Sequence, residues 1–302
     1  MSLIWVTGAD GQVGTAVSNV LNNHFNQRSI RFFSRSDFDI TNNTLISSWF
    51  QQEKPQCIMN LAAYTAVEQA ELEQDRAFAV NAIGVQTLAK LCALHAIPLI
   101  HVSTDYVFAG DASEPYSETA PVVAASVYGQ SKALGEQLLS DQHLLHIILR
   151  TSWVYSATQQ SFVSKILQKA WQTRSVSVVS DQIGCPTAAS HLALVLCQIT
   201  ERILEGRAVY GTYHYRDDTI HSWYSFAKDV LFYAAKECSE WRDVEVLPVL
   251  TSAFPTFAKR PTYSVLGMEK LIEHFGIHPM SCRDGTQETV RQILEHRNYN
   301  VL

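Results

Sequence analysis

The sequence predicts an α/β protein built on a parallel sheet, and three observations predict it. Short β-rich runs alternate with longer helical patterns through the first half of the chain. A glycine-rich turn, Gly8-Ala9-Asp10-Gly11-Gln12-Val13-Gly14, falls directly between the first such run and the first helical pattern. Apolar residues make up 47% of the 302 residues and charged residues 17%, which supports a sizeable core and excludes a disordered or coiled-coil chain. Together these give a doubly wound, Rossmann-like parallel sheet with a smaller α/β substrate-binding lobe.

Residues 3–6 read as the first strand and 12–21 as the first helix. Residues 30–33 make the second strand and 44–53 the next helix, and 57–60, soon after a proline, form a buried strand. The stretch 75–95 carries Phe78, Val85, Leu88, Leu91 and Leu94 at helical spacing. A strand at 99–103, a polar loop at 109–120, a helix at 128–139 and a strand at 146–150 complete the series. The second half is less regular, with helices at 162–171, 191–204 and 223–237 and strands at 176–179 and 211–215. The segment 247–266, rich in proline and aromatics, predicts extended chain lining a cleft. Residues 1–150 are therefore expected to form the sheet domain, with 187–215 returning to it. Residues 151–186 and 216–302 are expected to form the lobe.

Several function classes are disfavoured. A net charge of −6 argues against a general electrostatic grip on nucleic acid, so no nucleic-acid partner is expected. The chain has no run of about 18 apolar residues, so no membrane partner is expected either. Met1-Ser2-Leu3-Ile4 lacks the basic region of a signal peptide, which predicts a cytoplasmic protein. Cys57, Cys92, Cys185, Cys197, Cys238 and Cys282 are scattered without a CxxC pair, which suggests neither a disulfide framework nor a zinc site. His143/His146 and His274/His278 have metal-like spacing but no accompanying carboxylate or cysteine pattern, so no metal ligand is assigned.

The glycine turn has a specific physical use. Three glycines between a strand and a helix let backbone N–H groups at the helix N-terminus approach a pyrophosphate. In such folds the end of the second strand meets the adenosine ribose, where an acid favours NAD and a base accommodates NADP. Here Arg31-Phe32-Phe33-Ser34-Arg35-Ser36 offers arginines and hydroxyls before any acid. The expected cofactor is NADPH, with Arg35 at its extra phosphate and NADH as the alternative.

Tyr128 and Lys132, in Tyr128-Gly129-Gln130-Ser131-Lys132, share one face of a helix. A phenol near its ordinary pKa of about 10 is a poor acid or base at neutral pH unless a nearby cation stabilises the phenolate, and Lys132 can supply that cation. Ser103-Thr104-Asp105-Tyr106 ends the preceding strand at the same edge of the sheet. Glycine loop, hydroxyl and YxxxK together resemble the extended short-chain dehydrogenase/reductases. Asn60-Leu61-Ala62-Ala63-Tyr64-Thr65-Ala66-Val67-Glu68, Ser103 to Phe108, Arg150-Thr151-Ser152-Trp153-Val154-Tyr155, Asp181 to Thr187, Gly211-Thr212-Tyr213-His214 and Arg260-Pro261 are more closely similar to the dTDP-4-dehydrorhamnose reductase family.

The resemblance implies reduction of dTDP-4-dehydro-L-rhamnose to dTDP-L-rhamnose by hydride transfer from NADPH, for cell-surface polysaccharide. It makes Tyr128 the proton donor, Lys132 its electrostatic partner and holder of the nicotinamide ribose, and Thr104 a contact of the 4-keto oxygen. Asp105 and Trp153 would meet the sugar. Gly8, Gly11, Gln12, Val13 and Gly14 would cradle the pyrophosphate, and Asp39, Ile40, Ala63, Tyr64 and Thr65 would flank the adenosine and ribose. Two of these have plainer readings, Trp153 as a core aromatic and Asp39 as a cap for the helix after Thr41. Some family members bind Mg2+ through glutamates; those positions hold Ala16 and Ser190, with only Glu295 as a counterpart, so this metal is expected to be missing. A dTDP-sugar is the expected ligand and a homodimer the expected assembly. The alternatives are another nucleotide-sugar 4-keto reductase or epimerase, or a non-catalytic regulatory subunit of the methionine adenosyltransferase type.

Overall fold

The computed structural model describes residues 3–24, 29–157 and 161–296. Met1 and Ser2 of the N-terminal reading, and residues 297–302 of the expected lobe, lie outside the described residues. In chain order the first elements are β1 (Leu3–Thr7), α1 (Gln12–His24), β2 (Ser29–Phe33), α2 (Asn43–Gln52), β3 (Cys57–Asn60), α3 (Val67–Ala70) and α4 (Gln74–Phe78). A π-helical turn (Ala79–Gly84) then leads into α5 (Val85–Leu94), β4 (Leu99–Thr104), a 3-10 turn (Asp105–Val107), α6 (Val127–Gln142) and β5 (His146–Thr151). The remainder comprises β6 (Val154–Tyr155), α7 (Phe162–Thr173), β7 (Ser175–Val179), β8 (Ile183–Gly184), β9 (Thr187–Ala188), α8 (Ala189–Leu204), β10 (Gly211–His214) and β11 (His221–Ser222). It continues with α9 (Trp223–Glu237), β12 (Glu245–Val249), α10 (Glu269–Phe275) and α11 (Cys282–His296).

Six strands form one parallel sheet in the order β10-β5-β4-β3-β1-β2. Its inner strands β1 and β3 read as nearly continuous buried runs because both faces are covered. Successive side chains of β1 serve opposite cores: Ile4 and Val6 pack with Val17, Leu21, Leu192 and Leu196 on the α1 and α8 side. Trp5 points the other way, edge-on to Phe33 and Phe50, among Ile46, Val85, Leu88 and Leu99. Sequence order reverses around β1, whose neighbours are β2 and β3, and this opens a crevice at the carboxyl ends of the strands.

A separate apolar cluster joins α7, α9 and α11 through Val163, Leu167, Phe226, Val230, Trp241 and Val290. Ser161 caps α7, and Ser222 with Ser225 forms a reciprocal capping box on α9, so both helix starts are fixed by side chains.

Several local expectations change. The stretch expected as one helix over 75–95 contains the π turn, from which Asn81 bonds across to other elements. The start of the 247–266 segment, expected as extended chain lining a cleft, belongs instead to β12, which pairs in parallel with β7, a partner about seventy residues earlier. Asp39 does not cap α2; Asn42 does, accepting from the Leu45 N–H at 3.0 Å, while Asp39 accepts from the N–H and hydroxyl of Thr41. Gln74–Leu94 is long and apolar enough by composition to cross a membrane, and in this fold its Ala77, Ala82, Val85, Leu88, Ala89 and Cys92 are buried among other elements.

Candidate active site

A cleft of about 640 Å³ runs along the carboxyl edge of the sheet, and every site residue expected from sequence lines it. One end is the turn between β1 and α1. Gly8 adopts φ +67°, and a Cβ there would stand 2.6 Å from the Ala62 nitrogen; a Cβ on Gly14 would stand 2.3 Å from the Gly8 oxygen. Side chains at either position would push the turn off the sheet, so glycine is required for packing as much as for ligand approach. The first-turn N–H groups of α1 have no intrahelical acceptors, which leaves a positive helix end facing the cleft. Gln12 is held by the Ser156 hydroxyl at 2.9 Å.

The rim of this end holds Arg35 and Asp39, 3.6 Å apart. Arg31, the other arginine of the second strand, lies elsewhere: it pairs with Glu53 at 2.9 Å and covers the Trp49 ring. The adjoining wall, Ala63-Tyr64-Thr65, is set by Asn81. Its carboxamide accepts from the Tyr64 N–H at 2.8 Å, donates to the Tyr64 carbonyl at 3.0 Å and reaches the Ser131 hydroxyl at 3.0 Å. The π turn thus ties the wall at Ala63-Tyr64-Thr65 to the helix carrying Tyr128 and Lys132.

In the middle of the cleft Thr104, Asp105, Tyr128 and Lys132 are all buried. The Thr104 hydroxyl donates to Asp105 at 3.0 Å and accepts the Tyr106 N–H at 3.2 Å, and Tyr128 lines the same part of the cleft. Burial pushes the Tyr128 phenol above its ordinary value, and Thr104 only partly opposes this, so the phenol keeps its proton at neutral pH. Burial likewise raises Asp105 to about 6, against hydrogen bonds from Ser264 and Thr104. Lys132 is lowered to about 8 by burial, against the favourable charge of Glu136. Glu136 is itself neutralised by Arg150, whose guanidinium bonds it at 2.6 Å. Lys132 donates to the Val102 carbonyl at 2.7 Å and meets His101 Nε2 at 3.1 Å.

At the far end Trp153, in the left-handed region at φ 48°, lies against Trp223. Trp223 in turn donates to Gln182 at 3.2 Å. Arg260 reaches the Tyr106 hydroxyl at 3.0 Å and pairs with Glu68 at 2.5 Å, and Glu68 also accepts the Phe257 N–H at 2.9 Å. Arg260 is thus the part of the 247–266 segment that lines the cleft. Sequence reading gave no role to Asn81, His101, Arg260 or Trp223. Asn81 and His101 sit in apolar runs where a polar residue stands out, and that was the available signal.

Comparison with known proteins agrees with this geometry. Residues 1–295 match the RmlD substrate binding domain family. The dTDP-4-dehydrorhamnose reductase of Aggregatibacter actinomycetemcomitans is 41% identical over 92% of this chain and 95% of its own length. A solved dTDP-4-dehydrorhamnose reductase from Clostridium acetobutylicum superposes with a TM-score of 0.89 at 32% identity, covering 97% of this chain and 99% of that one. The Bacillus anthracis dTDP-4-dehydrorhamnose reductase, solved in complex with NADP, gives 0.87 at 34% identity over 97% of this chain and 100% of that one. With the family model matched over residues 1–295 and a reductase 41% identical over 92% of the chain, this protein belongs to the dTDP-4-dehydrorhamnose reductase family.

Proposed function

We infer that this chain reduces the 4-keto group of dTDP-4-dehydro-L-rhamnose to give dTDP-L-rhamnose, using NADPH. The observation that carries the reading is the arrangement of one cleft, with the N-terminal end of α1 at one extreme and a protonated Tyr128 lining its middle with Thr104. The dinucleotide fits this chain in two respects: the α1 N-terminus meets its phosphates, and Arg35 at the rim has only a loose contact with Asp39 and is free to turn to a ribose phosphate. Bound there, a reduced nicotinamide supplies the hydride.

The chain's own groups supply the rest. Thr104 and Tyr128 converge on the position a keto oxygen takes, and Tyr128 transfers its proton to that oxygen as negative charge develops on it. Lys132, when charged, stabilises the phenolate left behind and offers an N–H toward the cofactor ribose. Trp153 on Trp223 presents an aromatic wall to the apolar face of the sugar.

The test is to supply the purified protein with NADPH and dTDP-4-dehydro-L-rhamnose generated in situ from dTDP-glucose. The expected result is stoichiometric NADPH oxidation with dTDP-L-rhamnose as product. No oxidation despite NADPH binding sinks the reading and turns attention to another keto sugar or to a regulatory role.

A further inference from the structure

Behind Lys132 lies a row of buried polar side chains at one level of the sheet. Strand register sets Thr7 of β1 beside Asn60 of β3, and Asn60 beside His101 of β4. In a parallel sheet such neighbours project from the same face, so the three side chains line up. Thr7 meets Asn60 at 2.7 Å, Asn60 meets His101 Nδ1 at 3.0 Å, and His101 Nε2 meets Lys132 Nζ at 3.1 Å. Thr7, Asn60 and His101 are each 0% exposed, so the row ends inside the protein and offers no route for protons to solvent.

Counting donors and acceptors fixes the row for a charged Lys132 and opens a second arrangement for an uncharged one. A charged Lys132 has only N–H groups to offer, so His101 Nε2 must accept and the imidazole proton must sit on Nδ1, donating to the Asn60 carbonyl oxygen. An uncharged Lys132 keeps two N–H groups and gains a lone pair, so it can also accept from Nε2–H, and the row can then run in reverse. Thr7 donates to the Asn60 oxygen, the Asn60 amide donates to Nδ1, and Nε2–H donates to Nζ. The same heavy-atom positions serve both arrangements, because the Asn60 carboxamide can turn over and the Thr7 hydroxyl can donate or accept.

We propose that His101 is a positioning residue for Lys132: it stays neutral, holds the amine with Nε2 in either charge state, and changes tautomer as Lys132 gains or loses its proton. The proposal rests on the reductase reading above only for its effect on turnover. Burial and the Lys132 charge keep His101 well below its ordinary value, so the imidazole does not compete for the proton. The charged and titratable groups around the pair are Tyr128 and Glu136 on α6, Asp105 and Tyr106 on the 3-10 turn, and Arg150 and His214 on β5 and β10. Of these Glu136 is bound to Arg150 at 2.6 Å; Asp105 changes charge at about 6, below neutral pH, and Lys132 at about 8, above it.

Two measurements test this. In His101→Leu, kcat should fall about 10- to 100-fold, the range that losing one hydrogen bond to a charged group produces, and the basic limb of the kcat profile should move to lower pH. His101→Gln, which retains an acceptor, should recover most of both. A folded His101→Leu with wild-type kcat and basic limb overturns the proposal. Nitrogen-15 NMR of the histidines in the wild-type protein needs neither substrate nor a stable variant, and so stands apart from any failure of the reductase assay. It should find His101 as the Nδ1–H tautomer below the Lys132 value of about 8 and as the Nε2–H tautomer above it. An imidazolium, or one tautomer throughout, overturns the proposal.

Discussion

The indole of Trp153 lies flat on that of Trp223, with ring centroids 3.5 Å apart and planes within 6°. The two residues come from different parts of the chain, Trp153 from the turn after β5 and Trp223 from the first turn of α9, and both line the cleft. The stack holds Trp153 in its left-handed backbone conformation, which a bulky residue seldom adopts without support. Trp223→Ala is therefore expected to raise KM for the sugar nucleotide about 2- to 10-fold, the equivalent of one aromatic pair, with NADPH affinity unchanged. Steady-state kinetics and a cofactor titration separate the two; an unchanged KM refutes the supporting role.

Tyr128→Phe removes the phenol hydroxyl that lines the cleft with Thr104 while keeping the ring packed against Tyr106. Loss of a general acid costs about 100- to 10,000-fold in turnover. NADPH binding, measured by fluorescence titration, should stay within a few-fold of wild type. Retained turnover means that another group supplies the proton.

Lys132 titrates at about 8 in the folded chain against an ordinary 10.5. A lowered amine value means that the unfolded chain binds more protons between those two pH values, so wild-type stability rises with pH across that window. The shift corresponds to a change on the order of 3 kcal/mol. Lys132→Met lacks this dependence. Denaturant unfolding at a series of pH values should therefore show the wild type gaining on the variant between pH 8 and 10.5. Parallel curves contradict a buried amine at this position.

Asp105 is raised, chiefly by burial, to about 6. Its ionisation opposes folding above that pH, and the opposition vanishes below the ordinary value of 3.8. In the reaction the carboxylate form accepts from Thr104 and the acid form does not need to. The kcat/KM profile should carry an inflection near 6 that Asp105→Asn abolishes, and an inflection that survives the substitution belongs to another group.

The sheet and the cofactor end were legible because local rules decide them. Gly8, Gly11 and Gly14 announce a turn that only a strand before and a helix after can use. Strands buried on both faces need no polar–apolar alternation, and the wholly buried run Cys57 to Asn60 was readable as a strand on that ground. Tyr128 and Lys132 were legible because they stand four residues apart on one helix. What sequence hid depends on partners far along the chain. The Glu68–Arg260 pair spans 192 residues, the β7–β12 pairing joins a strand read at 176–179 to a partner about seventy residues on, and His101 acquires its meaning only from Asn60 and Lys132. In this structure the Lys132 amine bonds Val102 and His101, and the phenol is governed by burial and Thr104.

If Tyr128 and Thr104 hold the keto oxygen as inferred, hydride must arrive at C4 of the sugar and nowhere else. NADPH carrying deuterium at the transferred position, incubated with the protein and dTDP-4-dehydro-L-rhamnose, allows NMR of the product to locate the label. The expected product is dTDP-L-rhamnose with deuterium at C4 alone, at full incorporation in the wild type and in strongly reduced yield with Tyr128→Phe. Deuterium elsewhere in the sugar, or product formed without label, would contradict hydride transfer to C4 in this cleft.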